Sequence, residues 1–249
     1  MTSRAPEMAR VARLGVVGRG RVGTALAAAF RDAGLDVDGP AGRGEVPAGC
    51  DAILLCVPDS AIPEAAAAVA GAASLVGHTS GATPLGALGP SGAQAFGLHP
   101  LQTITGPGTG LAGCGCAVAG STAAALAAAV ELAVLLGMRP FELDDSRRAA
   151  YHAAASIASN FLVTLEAGAE SMAGAAGIEP ADARELLAPL VRSTVEIWAE
   201  LGPERALTGP VARGDWETVE RQRAAVAAER PELLELFDTL VARTREVAR

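Results

Sequence analysis

The chain has 249 residues and a formal net charge of −8, and it is 50% hydrophobic but only 3% aromatic. That length suits one large or two medium domains with a sizeable core in which alanine fills the place of aromatics. The acidic balance excludes the basic footprint of a nucleic-acid binder and a polybasic membrane surface. No stretch reaches ~18 clean apolar residues outside an amphipathic or glycine-broken context, so no membrane span is expected. The opening MTSRAPEMARVAR lacks the long apolar region of a secretory leader, and a cytoplasmic protein is expected.

All 20 basic residues are arginine. No lysine is therefore available as a general acid, Schiff-base former or phosphate anchor. Cys50, Cys56, Cys114 and Cys116 do not form a paired C-x-x-C framework. They read as small buried residues of a reducing compartment, and no metal site is expected.

In chain order, residues 1–143 alternate short apolar strands (14–17, 35–38, 52–57, 74–78, 95–98 and 116–119) with helices (22–33, 62–70 and 122–136). Such alternation implies right-handed crossovers and a mainly parallel, doubly wound sheet of the Rossmann type. From residue 144 the texture changes to long helical periodicity over 144–176, 180–201, 216–229 and 231–245, with Asp144 and Asp145 as candidate N-caps of the first helix. Two domains are expected, an alternating one over 1–143 and an all-helical one over 144–249.

The segment LGVVGRGRVGTAL places Gly18, Gly20 and Gly23 as G-x-G-x-x-G, with Arg19, Arg21 and Val22 between them. The motif follows an apolar strand and opens a helix, the context that gives it meaning. Gly18 would allow the tight turn, Gly20 the approach of a pyrophosphate, and Gly23 the packing of helix on strand. Two residues compete to choose the dinucleotide. Asp38 lies where an acid would bind a ribose 2′-hydroxyl and select NAD, whereas Arg43, in the following GPAGRG, is placed to meet a 2′-phosphate. The reading taken is NADP, with NAD the lesser candidate. Val57, Pro58 and Asp59 follow the third strand and should pass close to the cofactor, because ligands sit beyond the carboxyl ends of parallel strands.

The three histidines fall at telling places. His78 and His99 end apolar runs, in LVGHTSGATPL and AFGLHPLQTI. His152 begins a stripe in YHAAASIASNFLVTL, where His152, Ser156, Ser159 and Asn160 share a sector of roughly 100° on a helix advancing about 100° per residue. Such a stripe lines a site or forms a buried hydrogen-bond network that locks two helices in register. Later, ALTGPVARGDWETV reads as a glycine-shaped loop between helices. There Arg213 would clamp a carboxylate with its planar fork, and Asp215 would cap the next helix or take part in the site.

The succession GxGxxG, VPD, HTSGA, LHPLQT, YHAAASIASN and LTGPVARGD resembles Rossmann-like proteins with a helical C-terminal domain of the DUF2520 type, over nearly the whole chain. That family is similar to the 6-phosphogluconate dehydrogenase superfamily, which includes 3-hydroxyisobutyrate dehydrogenases, pyrroline-5-carboxylate reductases and ketopantoate reductases. Some DUF2520-type proteins look like an alternative ketopantoate reductase. The resemblance implies an α/β fold, a Rossmann-type sheet followed by an all-α 6-phosphogluconate dehydrogenase C-terminal-like domain. It implies dinucleotide binding for the first domain, over 1–143, and substrate binding and dimerisation for the second, over 144–249. It also implies a cytoplasmic homodimer and an NADPH-dependent reductase of a small 2-oxo or 3-hydroxy carboxylic acid. Ketopantoate reduction to pantoate is the particular expectation. The alternatives are a non-catalytic dinucleotide sensor and an imine reductase of the pyrroline-5-carboxylate type.

In several of those dehydrogenases a lysine on the first long helix of the second domain donates the proton, and an asparagine four residues later fixes the substrate. This chain has no lysine. The matching slots are His152 and Ser156, with Asn160 a turn further on. An imidazole of ordinary pKa, about 6.5, gives a proton near neutral pH. His152, Ser156 and Asn160 are accordingly the expected catalytic set, with Ser80, Gly81, His99, Thr208 and Arg213 binding the substrate.

Overall fold

The computed structural model describes residues 11–248; the first ten residues of the stretch read for a leader lie outside them. By its contacts the chain forms two compact units, Met1–Ala158 and Ser159–Arg249.

The first unit is built on seven strands: β1 Arg13–Val17, β2 Asp36–Ala41, β3 Ala52–Leu55, β4 Leu75–His78, β5 Gln94–Pro100, β6 Gly115–Gly120 and β7 Arg139–Glu142. Their order is β2-β1-β3-β4-β5-β6-β7. Every neighbouring pair is parallel except β5 and β6. The helices α1 (Arg21–Asp32), α2 (Ile62–Ala68) and α3 (Ala123–Leu135) cross over it.

The expected parallel sheet flanked by helices is what the chain forms. The strands β1 and β3 to β6 are largely buried on both faces, so they read as apolar runs, and alternate residues feed different cores. In β3, Ala52 and Leu54 join the cluster that includes Leu26 and Phe30 of α1 and Leu132 of α3. Ile53 and Leu55 turn to the other cluster, with Ile62 and Ala66 of α2 and Leu88. Leu14, Leu26, Phe30, Ile53, Leu54 and Leu55 are fully buried. Thr122 caps α3 by accepting from the Ala125 N–H at 3.1 Å.

Three details depart from the expected elements. β2 runs on to Ala41, three residues past its expected end, through a Gly-Pro pair of poor strand propensity. β7 has no counterpart among the expected strands, because three of its four residues are exposed and leave no apolar run. The helix expected over 144–176 is not continuous. A turn of 3-10 helix at Asp145–Arg147 leads into α4 (Arg148–Ala158), and α5 (Asn160–Ala175) starts afresh after Ser159. Ser159 has φ −123° and ψ −73°, outside helical geometry. Ser and Asn compete locally with the backbone for hydrogen bonds and are weak helix-interior residues.

The second unit is helical: α5, α6 (Pro180–Leu201), the single turns α7 (Pro203–Ala206) and α8 (Pro210–Arg213), α9 (Trp216–Glu229) and α10 (Leu234–Val247). Fork-to-fork pairs tie it together. Arg184 grips Glu170 at 2.7 and 2.9 Å between α6 and α5. Arg223 grips Asp238 at 2.8 Å through both oxygens between α9 and α10. Among the described residues no helix is long and apolar enough to cross a membrane.

Candidate functional site

The glycine-rich turn joins β1 to α1, and its three glycines do different work. Gly18 has φ +115°, and a Cβ there would stand 2.2 Å from the Cys56 carbonyl oxygen. Its N–H donates to Ala41 at 2.8 Å, which fastens the turn to the end of β2. A Cβ on Gly23 would lie 1.9 Å from the Gly18 carbonyl oxygen, so α1 can approach the turn only over bare backbone. Gly20 is the N-cap of α1, and nothing lies within 4 Å of where its Cβ would be. The first turn of α1 has no acidic residue, and no side chain caps it. Its N–H groups and positive dipole end are left for an anion, as a dinucleotide pyrophosphate requires.

Beside this turn lies a cavity of about 560 Å³, bounded by residues 17–19, 41–45, Val57, Pro58 and one face of α2. The residues at the end of β2 decide what fits its mouth. Asp38 lies inside the strand, accepts from the Ala48 N–H at 3.0 Å and pairs with Arg13 at 3.7 Å. Arg19 and Arg43 line the cavity itself. Arg19 reaches the Glu45 carboxylate at 2.6 and 2.9 Å, and Arg43 lies 3.8 Å from Glu64. The Gly42 N–H and the Arg19 guanidinium hold the Glu45 carboxyl below the usual range. Both guanidiniums face glutamate carboxylates, and a 2′-phosphate at the mouth would compete with those carboxylates for them, whereas Asp38 is engaged by Ala48 and Arg13. Asp59 opens the 3-10 turn just after Pro58 and is exposed.

The second cluster sits at the carboxyl ends of β4 and β5. His78 is fully buried. Its Nδ1 accepts from the Ser80 N–H at 3.2 Å, and its Nε2 has no hydrogen-bond partner among the described residues. Burial, then the charge of Arg148, pushes its pKa down to about 4. The Ser80 hydroxyl accepts from the Ala82 and Thr83 N–H groups at 3.2 and 2.9 Å and donates to the Thr83 hydroxyl at 3.0 Å. Ser80 therefore shapes the loop that presents Gly81.

Over Gly81 two imidazoles converge. A Cβ at this position would stand 2.9 Å from Cε1 and Nε2 of His99 and 3.1 Å from Cδ2 of His152. The two rings face edge-on with centroids 6.4 Å apart. His99 Nδ1 lies 2.7 Å from the Tyr151 hydroxyl, and the Tyr151 ring meets Phe141 edge-on at 5.9 Å. Beneath them Arg148, 3% exposed, pairs with Asp145 at 2.5 Å and donates to the Ser80 carbonyl at 3.3 Å. Asp145 also accepts from the Leu85 N–H at 2.9 Å. This buried latch holds the start of α4 to the loop after β4.

Of the residues expected from the sequence, the first unit thus gathers Ser80, Gly81, His99 and His152, with half-buried Ser156 one turn along α4. Asn160 heads α5 in the second unit, where its carbonyl accepts from the Thr164 hydroxyl at 3.3 Å. Thr208 and Arg213 are exposed in that unit, flanking and ending α8. Asp215, left open above, is a helix cap: it accepts from the Thr218 N–H at 3.2 Å and starts α9. Sequence reasoning missed Tyr151 and Arg148, and read Asp145 only as a candidate helix cap. Tyr151 carried one usable signal, as the chain's only tyrosine beside a histidine. Arg148 follows another arginine, and nothing in the sequence marks which of the two is buried.

Fold and site together define a Rossmann-type nucleotide-binding architecture followed by a helical unit. Residues 114–244, just over half of the chain, match the family described as Domain of unknown function (DUF2520), and the chain belongs to that family. A search of curated proteins finds no match. Among solved structures, a provisionally assigned NADP oxidoreductase of Bacteroides fragilis is 20% identical, with a TM-score of 0.81 over 95% of this chain and 98% of the other. The Aspergillus terreus reductive aminase in complex with NADPH and ethyl-5-oxohexanoate is 18% identical, with a TM-score of 0.66 over 94% and 93%. The Plasmodium falciparum pyrroline carboxylate reductase with NADP bound is 12% identical, with a TM-score of 0.60 over 97% and 100%. At such identities the likeness speaks for the fold.

Proposed function

We propose that the protein is an NADP-dependent oxidoreductase acting on a small carboxylic acid that carries a carbonyl group, with ketopantoate reduction to pantoate as its particular reaction. One observation carries the reading. The open glycine cradle with its arginine-lined cavity and the imidazole pair over Gly81 all stand at the carboxyl ends of parallel strands of one sheet. The likeness to NADP-binding reductases supports it, and the choice of ketopantoate rests on the family resemblance.

In this reading the backbone of residues 18–23 holds the pyrophosphate, with Arg21 and Val22 in the first turn of α1. Arg19 and Arg43 meet the 2′-phosphate, and Val57, Pro58 and Asp59 follow the cofactor along the sheet edge. The bound nicotinamide supplies hydride. His152 delivers the proton to the substrate oxygen, Ser156 and Asn160 orient the substrate, and Thr208 and Arg213 hold its carboxylate. The sheet domain (1–143) serves the dinucleotide, and the helical part (144–249) serves substrate and self-association as a homodimer. The four cysteines are all unpaired, which suits a reducing, cytoplasmic setting.

A C=N substrate is the second reading, favoured by the likeness to a reductive aminase and a pyrroline carboxylate reductase. The test is a panel of 2-oxo acids and cyclic imines mixed with protein and NADPH, followed by the absorbance of the reduced nicotinamide. Ketopantoate should be consumed, and His152→Ala and Asn160→Ala should each lower turnover on the order of 10²-fold. Near-normal turnover in both variants removes their roles. Binding of NADPH without oxidation across the panel makes the protein a dinucleotide sensor instead.

A further inference from the structure

We propose that His99 is the group that polarises the reacting carbonyl oxygen, as a neutral imidazole donating from Nε2, and that Tyr151 is the positioning residue that fixes this tautomer. The inference rests on the reductase reading above and deepens it by dividing the work between the two imidazoles.

His99 Nδ1 and the Tyr151 hydroxyl are in contact at 2.7 Å. Two arrangements satisfy it. Either the phenol donates to a bare Nδ1, or an Nδ1–H donates to the phenol oxygen. A phenol O–H is a far stronger acid than the N–H of a neutral imidazole, and a bare imidazole nitrogen is a far better acceptor than a phenol oxygen. The phenol therefore donates, and the single proton of the neutral ring sits on Nε2. Nε2 lies on the ring edge that faces Gly81, where it and Cε1 each stand 2.9 Å from where a Cβ would be. The missing side chain at 81 keeps this donor uncovered.

The surroundings keep His99 neutral. Burial is the main cause, and His152, Arg148 and His78 add to it while Asp59 opposes; together they push its pKa down to about 4. Burial, with Cys116 next in effect, raises the Tyr151 pKa to about 12, so the phenol keeps its proton. The backbone under His99 is fixed on both sides, by β4 next to Gly97 and by antiparallel pairing of His99 itself with Ala117 of β6. Phe141 braces the other edge of the Tyr151 ring. A fixed, neutral N–H donor is suited to an oxygen that gains negative charge, because it stabilises that charge without losing its own proton. Proton delivery then falls to the exposed His152.

The test has two readouts. The first is nitrogen NMR of the intact, ligand-free protein labelled in histidine, with the His99 signal assigned by its loss in His99→Gln. His99 should show the neutral, Nε2-protonated pattern from pH about 7 to about 5, and Tyr151→Phe should shift it towards mixed tautomers. An Nδ1-protonated pattern, or a doubly protonated ring at pH about 6, overturns the assignment. The second is kinetic. His99→Ala should lower kcat about 10²-fold, Tyr151→Phe about tenfold with KM for NADPH unchanged, and His99→Gln should recover part of the loss because its amide N–H still donates. Full kcat in His99→Ala and Tyr151→Phe, with an active wild type, contradicts the role of His99. A wild type that reduces nothing contradicts the reductase reading instead, while the tautomer pattern still decides the tyrosine clamp.

Discussion

The two units solve the problem of burying apolar surface in opposite ways. In the first, both faces of the sheet are covered, and large side chains such as Phe30, Ile53, Leu55 and Phe96 are wholly enclosed. In the second, Ala183, Val219 and Val226 are the buried apolar positions among the described residues. The same unit exposes Phe161 (56%), Leu186 (64%), Leu190 (64%) and Trp198 (54%). Leu186, Leu190, Ile197 and Leu201 recur at helical spacing on one side of α6. An exposed apolar stripe of this kind is what an interaction surface would present. The first unit carries its own core, whereas the second has the composition of a core half, which is the physical basis for proposing a homodimer.

The largest expected effect separates fold from binding within the first unit. Gly23→Ala pushes a methyl group into the Gly18 carbonyl and should destabilise the protein by about 1–3 kcal/mol in denaturant melts while abolishing NADPH binding. Gly20→Ala meets open space. It should leave the melt unchanged and weaken NADPH, read by fluorescence titration. Equal melts for both variants would break the account of the turn.

The next effect tests the second unit. Leu186→Glu combined with Leu190→Glu should convert a dimer to a monomer by light scattering, with little change in the helical signal. A wild-type protein that is already monomeric would sink the proposal. Arg43→Ala should follow, weakening NADPH about tenfold relative to NADH by removing one charge-assisted contact. NADH binding the wild type at least as tightly as NADPH would reverse the cofactor assignment.

Acid sensitivity also belongs to the first unit, which holds all three histidines. His78 and His99 have folded pKa values near 4 against an ordinary 6.5. Between those values the unfolded chain binds more protons than the folded one, so stability rises with pH. Acidification from about 6.5 towards about 4 should lower Tm progressively and then cease to act through these groups. His99→Gln should keep more of its Tm over that window. An equal loss of Tm in the variant and the wild type would mean that His99 does not titrate as described.

Much of this architecture was legible in the sequence, and the reasons differ by element. The strands of the first unit stand out because burial on both faces makes them short apolar runs. The glycine turn stands out because its backbone demands are rigid. β7 was hidden by its exposure, and the extension of β2 by its Gly-Pro content. The break at Ser159 was obscured because the polar stripe keeps helical spacing across it. At the site, His78 and His99 were legible as strand ends, and His152 as the start of a polar stripe at helical spacing. The Tyr151–His99 contact joins residues 52 apart. The Arg148 latch to Ser80 spans 68. Such partners are set by the path of the chain in space and leave no local pattern.

If the glycine cradle and the imidazole pair act on one reaction, as proposed, isotope transfer from cofactor to substrate reads their coupling. Protein mixed with ketopantoate and NADPH deuterated on the transferable face of its nicotinamide should yield pantoate carrying deuterium at the carbinol carbon, with the label greatly reduced in His152→Ala. Intact labelled NADPH bound to the protein, with no deuterium in pantoate or in the product of any other oxo acid or imine offered, would contradict the account.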